Sequence, residues 1–100
     1  MGYAYAIRDQ QGQYFVTITV NQWVDIFTRP IYVDILLESI RYCQKNKGLQ
    51  VYAWVIMSNH IHMIISCETG RLSDLIRDLK KFTSSKIVQA IEENKHESRK

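Results

Sequence analysis

Residues Tyr52–Cys67 read YAWVIMSNHIHMIISC, and two apolar runs rich in β-branched and aromatic residues meet there at Ser58-Asn59. Such runs around a short polar pair predict an antiparallel hairpin, with Leu49–Met57 turning back as His60–Cys67. Strand side chains alternate between faces, so His60 and His62 share one. With a two-residue loop, Met57 pairs with His60 and Val55 with His62. The histidines then share a face with Val51, Ala53, Val55 and Met57, while Tyr52, Trp54, Ile56, Ile61, Met63 and Ile65 take the other. A three-residue loop would exchange the strand faces. Both faces are largely apolar, so each needs a cover: helices on one, and a later segment or a partner on the other.

Upstream of the hairpin, Thr28 is placed to cap a helix over Pro30–Asn46. Pro30 sits in its first turn, where the missing N–H costs nothing, and Gly48 makes a stop after Lys45 and Lys47. Val33, Leu36, Leu37, Ile40 and Cys43 recur at three- and four-residue steps and form a packing stripe. Before it, Tyr14–Val20 (YFVTITV) reads as a principal strand, Asn21–Thr28 as a partly buried connection, and Tyr3–Arg8 as a short edge strand ended by the turn residues Asp9–Gly12. Downstream, Ser73 is the expected N-cap of a helix to about Glu93, with Asp74 in its positive first turn. Its inner side is Leu72, Leu75, Ile76, Leu79, Phe82, Thr83, Ile87, Ala90 and Ile91. The polar tail Asn94–Lys100 is expected to fray.

Strand, helix, strand, strand, helix is the order of an α+β fold, an antiparallel sheet with two helices packed on one face, of the ferredoxin-like or RRM-like kind. That plan normally has one more strand, so the sheet reads as incomplete at its C-terminal end. One hundred residues make a single small domain over 1–100. Its 46% hydrophobic and 23% charged residues exclude an acidic disordered chain. The net charge of +3 tilts the partner toward nucleic acid or another polyanion. Cys43 and Cys67 lack metal-knuckle spacing and are expected as buried free thiols. No apolar run approaches the roughly 20 residues that cross a bilayer, and no leader-like segment opens the chain, so a cytoplasmic protein with no membrane partner is expected.

Two histidines at i and i+2 admit two readings. One is an incidental surface or core pair. The other is a pair of neutral imidazoles on one divalent ion, with positions left for phosphate oxygens and a third protein ligand still required. Asn59 adjoins the pair but is read as part of the turn, and His96 lies in the polar tail.

Three blocks bear on the choice: YFVTITVNQWVDIFTR at Tyr14–Arg29, YAWVIMSNHIHMII at Tyr52–Ile65 and LSDLIRDLKKFTSSKI at Leu72–Ile87. Together, in this order, they resemble the HUH single-tyrosine nucleases, specifically transposases related to the REP-associated tyrosine transposases. The resemblance covers most of the chain. It implies that His60 and His62 hold an Mg²⁺ or Mn²⁺ ion that polarises the scissile phosphate of single-stranded or hairpin DNA. It further implies that a tyrosine on a later helix attacks to give a 5′-phosphotyrosine link and a free 3′-hydroxyl. That family's tyrosine, and a polar side chain that completes the metal shell, lie beyond the helix ending near Ile91. Tyr3, Tyr5, Tyr14, Tyr32, Tyr42 and Tyr52 all precede the histidines and read as structural, so no residue here is assigned as the nucleophile. The expectation is a truncated N-terminal fragment that does not nick DNA alone.

Arg77, Lys80, Lys81 and Lys86 are candidate DNA contacts, within a segment whose basic residues (Arg71 and these four) outnumber Asp74 and Asp78. A solvated helix face accounts for the same charges, and Lys86 falls toward the apolar side. Tyr52 and Trp54 are expected under the helices rather than as base-stacking platforms. Competing functional classes are a non-catalytic nucleic-acid-binding ferredoxin-like module and a remnant that self-associates, as a homodimer for example, through an uncovered sheet face.

Overall fold

The structure, a computed structural model, describes residues 12–19 and 25–98. The expected edge strand over Tyr3–Arg8 lies outside them, as do Trp23 and Val24 of the connection. The described chain runs β1 (Tyr14–Thr19), a 3-10 turn (Ile26–Thr28), α1 (Pro30–Asn46), β2 (Leu49–Ile56), β3 (His60–Cys67) and α2 (Leu72–Ser98). The three strands form an antiparallel sheet in the order β1-β3-β2. The α+β fold is therefore as expected, with β3 in the centre.

The helix on the stretch from Pro30 starts and stops where its punctuation predicts. Pro30 occupies the first turn, and Gly48 follows the end with φ 77°, a left-handed conformation that glycine adopts without a steric cost. Its N-cap is Arg29, however, with no side-chain cap bond; Thr28 instead donates its hydroxyl to the Asp25 carbonyl at 2.8 Å. The later helix also departs at both ends. It begins at Leu72, with Leu75 N–H bonded to the Arg71 carbonyl, so Ser73 sits inside the first turn. It continues to Ser98 through the tail expected to fray. Residues Gln89 to Asn94 are good or neutral helix formers apart from their polarity, and Asn94 donates to the Tyr32 hydroxyl at 3.1 Å, tying this turn to the start of α1.

One hydrophobic cluster joins the sheet to both helices. Val16 and Ile18 of β1, Ile61, Met63 and Ile65 of β3, Leu36 and Cys43 of α1, and Leu72, Ile76 and Leu79 of α2 are all buried. Each such side chain contributes about 1.5–3 kcal/mol relative to exposure. Tyr42 and Phe82 meet edge to face at 5.1 Å between the helices, and Phe82, expected on the inner side of its helix, remains partly exposed.

The hairpin loop has two residues. Met57 N–H bonds the His60 carbonyl at 2.7 Å, and Val55 stands opposite His62 as expected. Further along β2 the register slips between Val51 and Ala53, leaving Tyr52 as an extra residue. Val51 consequently pairs with Ile65 and packs on the core side, not on the histidine face. Tyr52 turns to the histidine face, where its hydroxyl lies 2.9 Å from Ser66 Oγ. Trp54 keeps its place opposite Met63, but β2 is an edge strand and half the indole stays in solvent. Neither ring is buried under the helices, contrary to expectation.

Candidate metal centre

His60, His62, Ile64 and Ser66 alternate along the central strand with the core residues Ile61, Met63 and Ile65. The histidines therefore stand on the face away from α1 and α2. Thr19 and Thr17 flank them from β1, in register with His60 and His62 respectively, and Val55 flanks His62 from β2. Phe15, Val55 and Met57 on this face are about half exposed, so among the described residues it is open.

The two imidazoles converge. Their Nε2 atoms are 3.1 Å apart, with ring centroids at 4.7 Å and planes at 78°. Each Nδ1 has an oxygen partner of its own, Asn59 Oδ1 for His60 and Thr17 Oγ1 for His62, both at 2.9 Å. Phe15 stacks on the His62 ring at 5.3 Å and 26°. Nitrogen ligands about 2.1 Å from an ion and at right angles to each other lie about 3 Å apart. The pair therefore fits two neighbouring positions of one ion's shell, with each remote nitrogen held by an oxygen partner. No cluster of three or more His, Cys, Asp or Glu occurs among the described residues, so the pair could supply two ligands and no more than two of these types.

The tyrosines among the described residues have other partners. Tyr32 is buried in α1 and bonded to Asn94, Tyr42 packs on Phe82, and Tyr14 pairs with Ile65 on the core side of the sheet. Tyr52 shares the histidine face, but Ser66, its partner, is four residues from His62, or about 13 Å along the strand.

The basic candidates are not brought to the histidines. Arg77, Lys81 and Lys86 lie exposed on α2, which covers the opposite face of the sheet, and Lys80 is half-buried there. Arg77 is paired with Asp74 and Asp78, each at 3.5 Å, and Lys47 reaches Asp78 at 3.7 Å. A shallow cavity of about 510 Å³ at that end is lined by Lys47, Arg71, Asp74, Arg77 and Asp78 among others. Lys47 and Arg77 are paired there with Asp74 and Asp78, and with Arg71 three cations face two carboxylates.

The family described as "Transposase IS200 like" matches residues 9–100. The chain belongs to the IS200-like transposase family. This family member is also similar to the solved structure of a REP-associated tyrosine transposase bound to a REP hairpin, with a TM-score of 0.69 and 18% identity. The match covers 87% of this chain and 53% of that one, so the IS200-like chain spans about half the length of the structure it resembles. At that identity the likeness shows a shared fold. A comparison with curated proteins finds no match.

Thr17 and Asn59 are the site residues that sequence reasoning missed. Asn59 was visible beside the pair but accounted for by the turn. Thr17 lies 45 residues from His62 and is joined to it only by the pairing of β1 with β3.

Proposed function

We propose that this chain is the metal-binding half of a transposase catalytic domain acting on structured single-stranded DNA, hairpins included, in the cytoplasm. The convergence of His60 and His62 Nε2 on an open sheet face carries the proposal. A bound Mg²⁺ or Mn²⁺ ion would supply Lewis-acid polarisation of a phosphate oxygen. The chain's own contribution is to hold two nitrogen donors rigidly on a central strand, with Thr17, Asn59 and Phe15 restraining the rings. Among the described residues, this face leaves room for a DNA strand to reach the pair. In the full-length protein, a tyrosine outside this chain cleaves and rejoins the strand through a 5′-phosphotyrosine link. This single-domain fragment by itself binds and does not cut; its match to about half of the structurally similar transposase supports that reading.

Lys81 and Lys86, with Lys80 and Arg77, then contact phosphates of a DNA segment away from the scissile one, because α2 lies on the other side of the sheet. A hairpin oligonucleotide with a single-stranded flank should bind more tightly than a blunt duplex, with affinity falling as salt rises. Incubation with Mn²⁺ should give no covalent adduct. Absence of binding even at low salt overturns the DNA reading, and a covalent adduct overturns the fragment reading.

The exposed Phe15, Val55, Met57 and Ile64 favour a second reading, a non-catalytic remnant that pairs through this face as a homodimer. Concentration-dependent sedimentation without DNA affinity would select it.

A further inference from the structure

We propose that Thr17 is a two-way hydrogen-bond partner that lets His62 change tautomer when a metal ion is bound, whereas Asn59 holds His60 permanently in the ligand-ready form. The proposal rests on the metal-site reading above. It follows from what each partner in three successive hydrogen bonds is able to donate or accept when both rings are neutral.

Asn59 Oδ1 can only accept, so the His60 Nδ1 at 2.9 Å carries a proton. In a neutral ring the other nitrogen is then bare, and His60 Nε2 is an acceptor. The His62 Nε2, 3.1 Å away, must donate to it. That leaves His62 Nδ1 bare, and the Thr17 hydroxyl at 2.9 Å donates to it. The run is Thr17 O–H to His62, His62 Nε2–H to His60, and His60 Nδ1–H to Asn59.

Only His60 already offers Nε2 as a ligand. His62 must lose the Nε2 proton and take one at Nδ1, an exchange through water that leaves the ring neutral and releases no net proton. The Thr17 hydroxyl can meet this change by rotating to accept, because it has one proton and two lone pairs. An amide oxygen in its place could not donate in the first state. Phe15, stacked on His62, keeps the ring in plane through the exchange. Thr17 is thus a positioning residue that acts through His62.

The test uses the full chain, uniformly ¹⁵N-labelled, at a pH where both rings are neutral, with long-range ¹H–¹⁵N spectra of the imidazoles and ZnCl₂ as a diamagnetic probe. The metal-free protein should show His60 as the Nδ1–H and His62 as the Nε2–H tautomer; with Zn²⁺ both should be Nδ1–H. Thr17→Val should weaken Zn²⁺ binding by roughly 10–100-fold, and Thr17→Ser should keep it. A His62 that is already Nδ1–H without metal, or undiminished Zn²⁺ affinity in Thr17→Val, overturns this inference while the metal site stands. Zn²⁺ that perturbs neither ring overturns both. The tautomers of the unsubstituted protein decide the question even if Thr17→Val fails to fold.

Discussion

Val51 stands opposite Ile65, one step out of phase with the Val55–His62 pair on the same two strands. The extra residue, Tyr52, is what allows Leu49 and Val51 to join Trp54 and Ile56 on the helix side while His60 and His62 stay on the other. Removing Tyr52 should therefore leave both ends of the ladder in register. Deletion of Tyr52 is expected to preserve the fold and to cost about what its hydrogen bond to Ser66 contributes, ~0.5–1.5 kcal/mol. Deletion of Ile64 from β3 should unfold the protein, since either the histidines or Ser66 and Cys67 would have to change faces. Urea unfolding of the two deletions compares them; equal losses would count against the bulge.

The unequal legibility of these elements has physical causes. Pro30 and Gly48 are strong local punctuation, and α1 begins at the first and ends two residues before the second. The alternation in HIHMIISC likewise places β3 and the face of its histidines. Nothing in LQVYAWVI marks a bulge, because Tyr52 is as good a strand former as its neighbours, so strict alternation misplaces Val51 and Tyr52. The spacing His60-Ile61-His62 shows that two rings share a face, but not that their Nε2 atoms converge. That depends on Thr17 and on the register of β1, a relation between residues far apart in the chain.

Among the described residues, Gly48 is the glycine whose backbone would resist a side chain from two directions. Its φ is 77°, and a Cβ there would lie 3.1 Å from Thr69 Cγ2 and 3.3 Å from Thr69 N. Gly48→Ala should destabilise the protein by about 1–2 kcal/mol, measured by urea unfolding. No loss of stability would show that the α1–β2 junction relaxes to another conformation.

Ser39 offers the opposite sign. It is buried in α1, and its hydroxyl finds no hydrogen-bond partner among the described residues. Ser39→Ala removes an unsatisfied polar atom and improves helix propensity, so stability should rise by up to about 1 kcal/mol. A loss of similar size in thermal unfolding would mean that the hydroxyl is satisfied in solution.

Cys43, buried against α2, has its thiol pushed up from 9.0 to about 11, first by burial and then by the nearby Asp78 carboxylate, with Lys47 opposing. The unfolded chain gives up this proton at lower pH than the folded one. The contribution to stability is therefore complete below about pH 9 and is lost as pH rises toward 11. Cys43→Ala should flatten the decline in unfolding free energy across that window relative to the unsubstituted chain. Parallel curves would contradict the assignment.

His60 and His62 are proposed above to hold one divalent ion between their Nε2 atoms. Titration with Mn²⁺, followed by paramagnetic broadening of the histidine ring resonances, addresses this directly. Both rings should broaden together, before other residues, and His62→Ala should abolish the effect at His60. Rings of His60 and His62 that stay sharp while Mn²⁺ broadens signals elsewhere would contradict it.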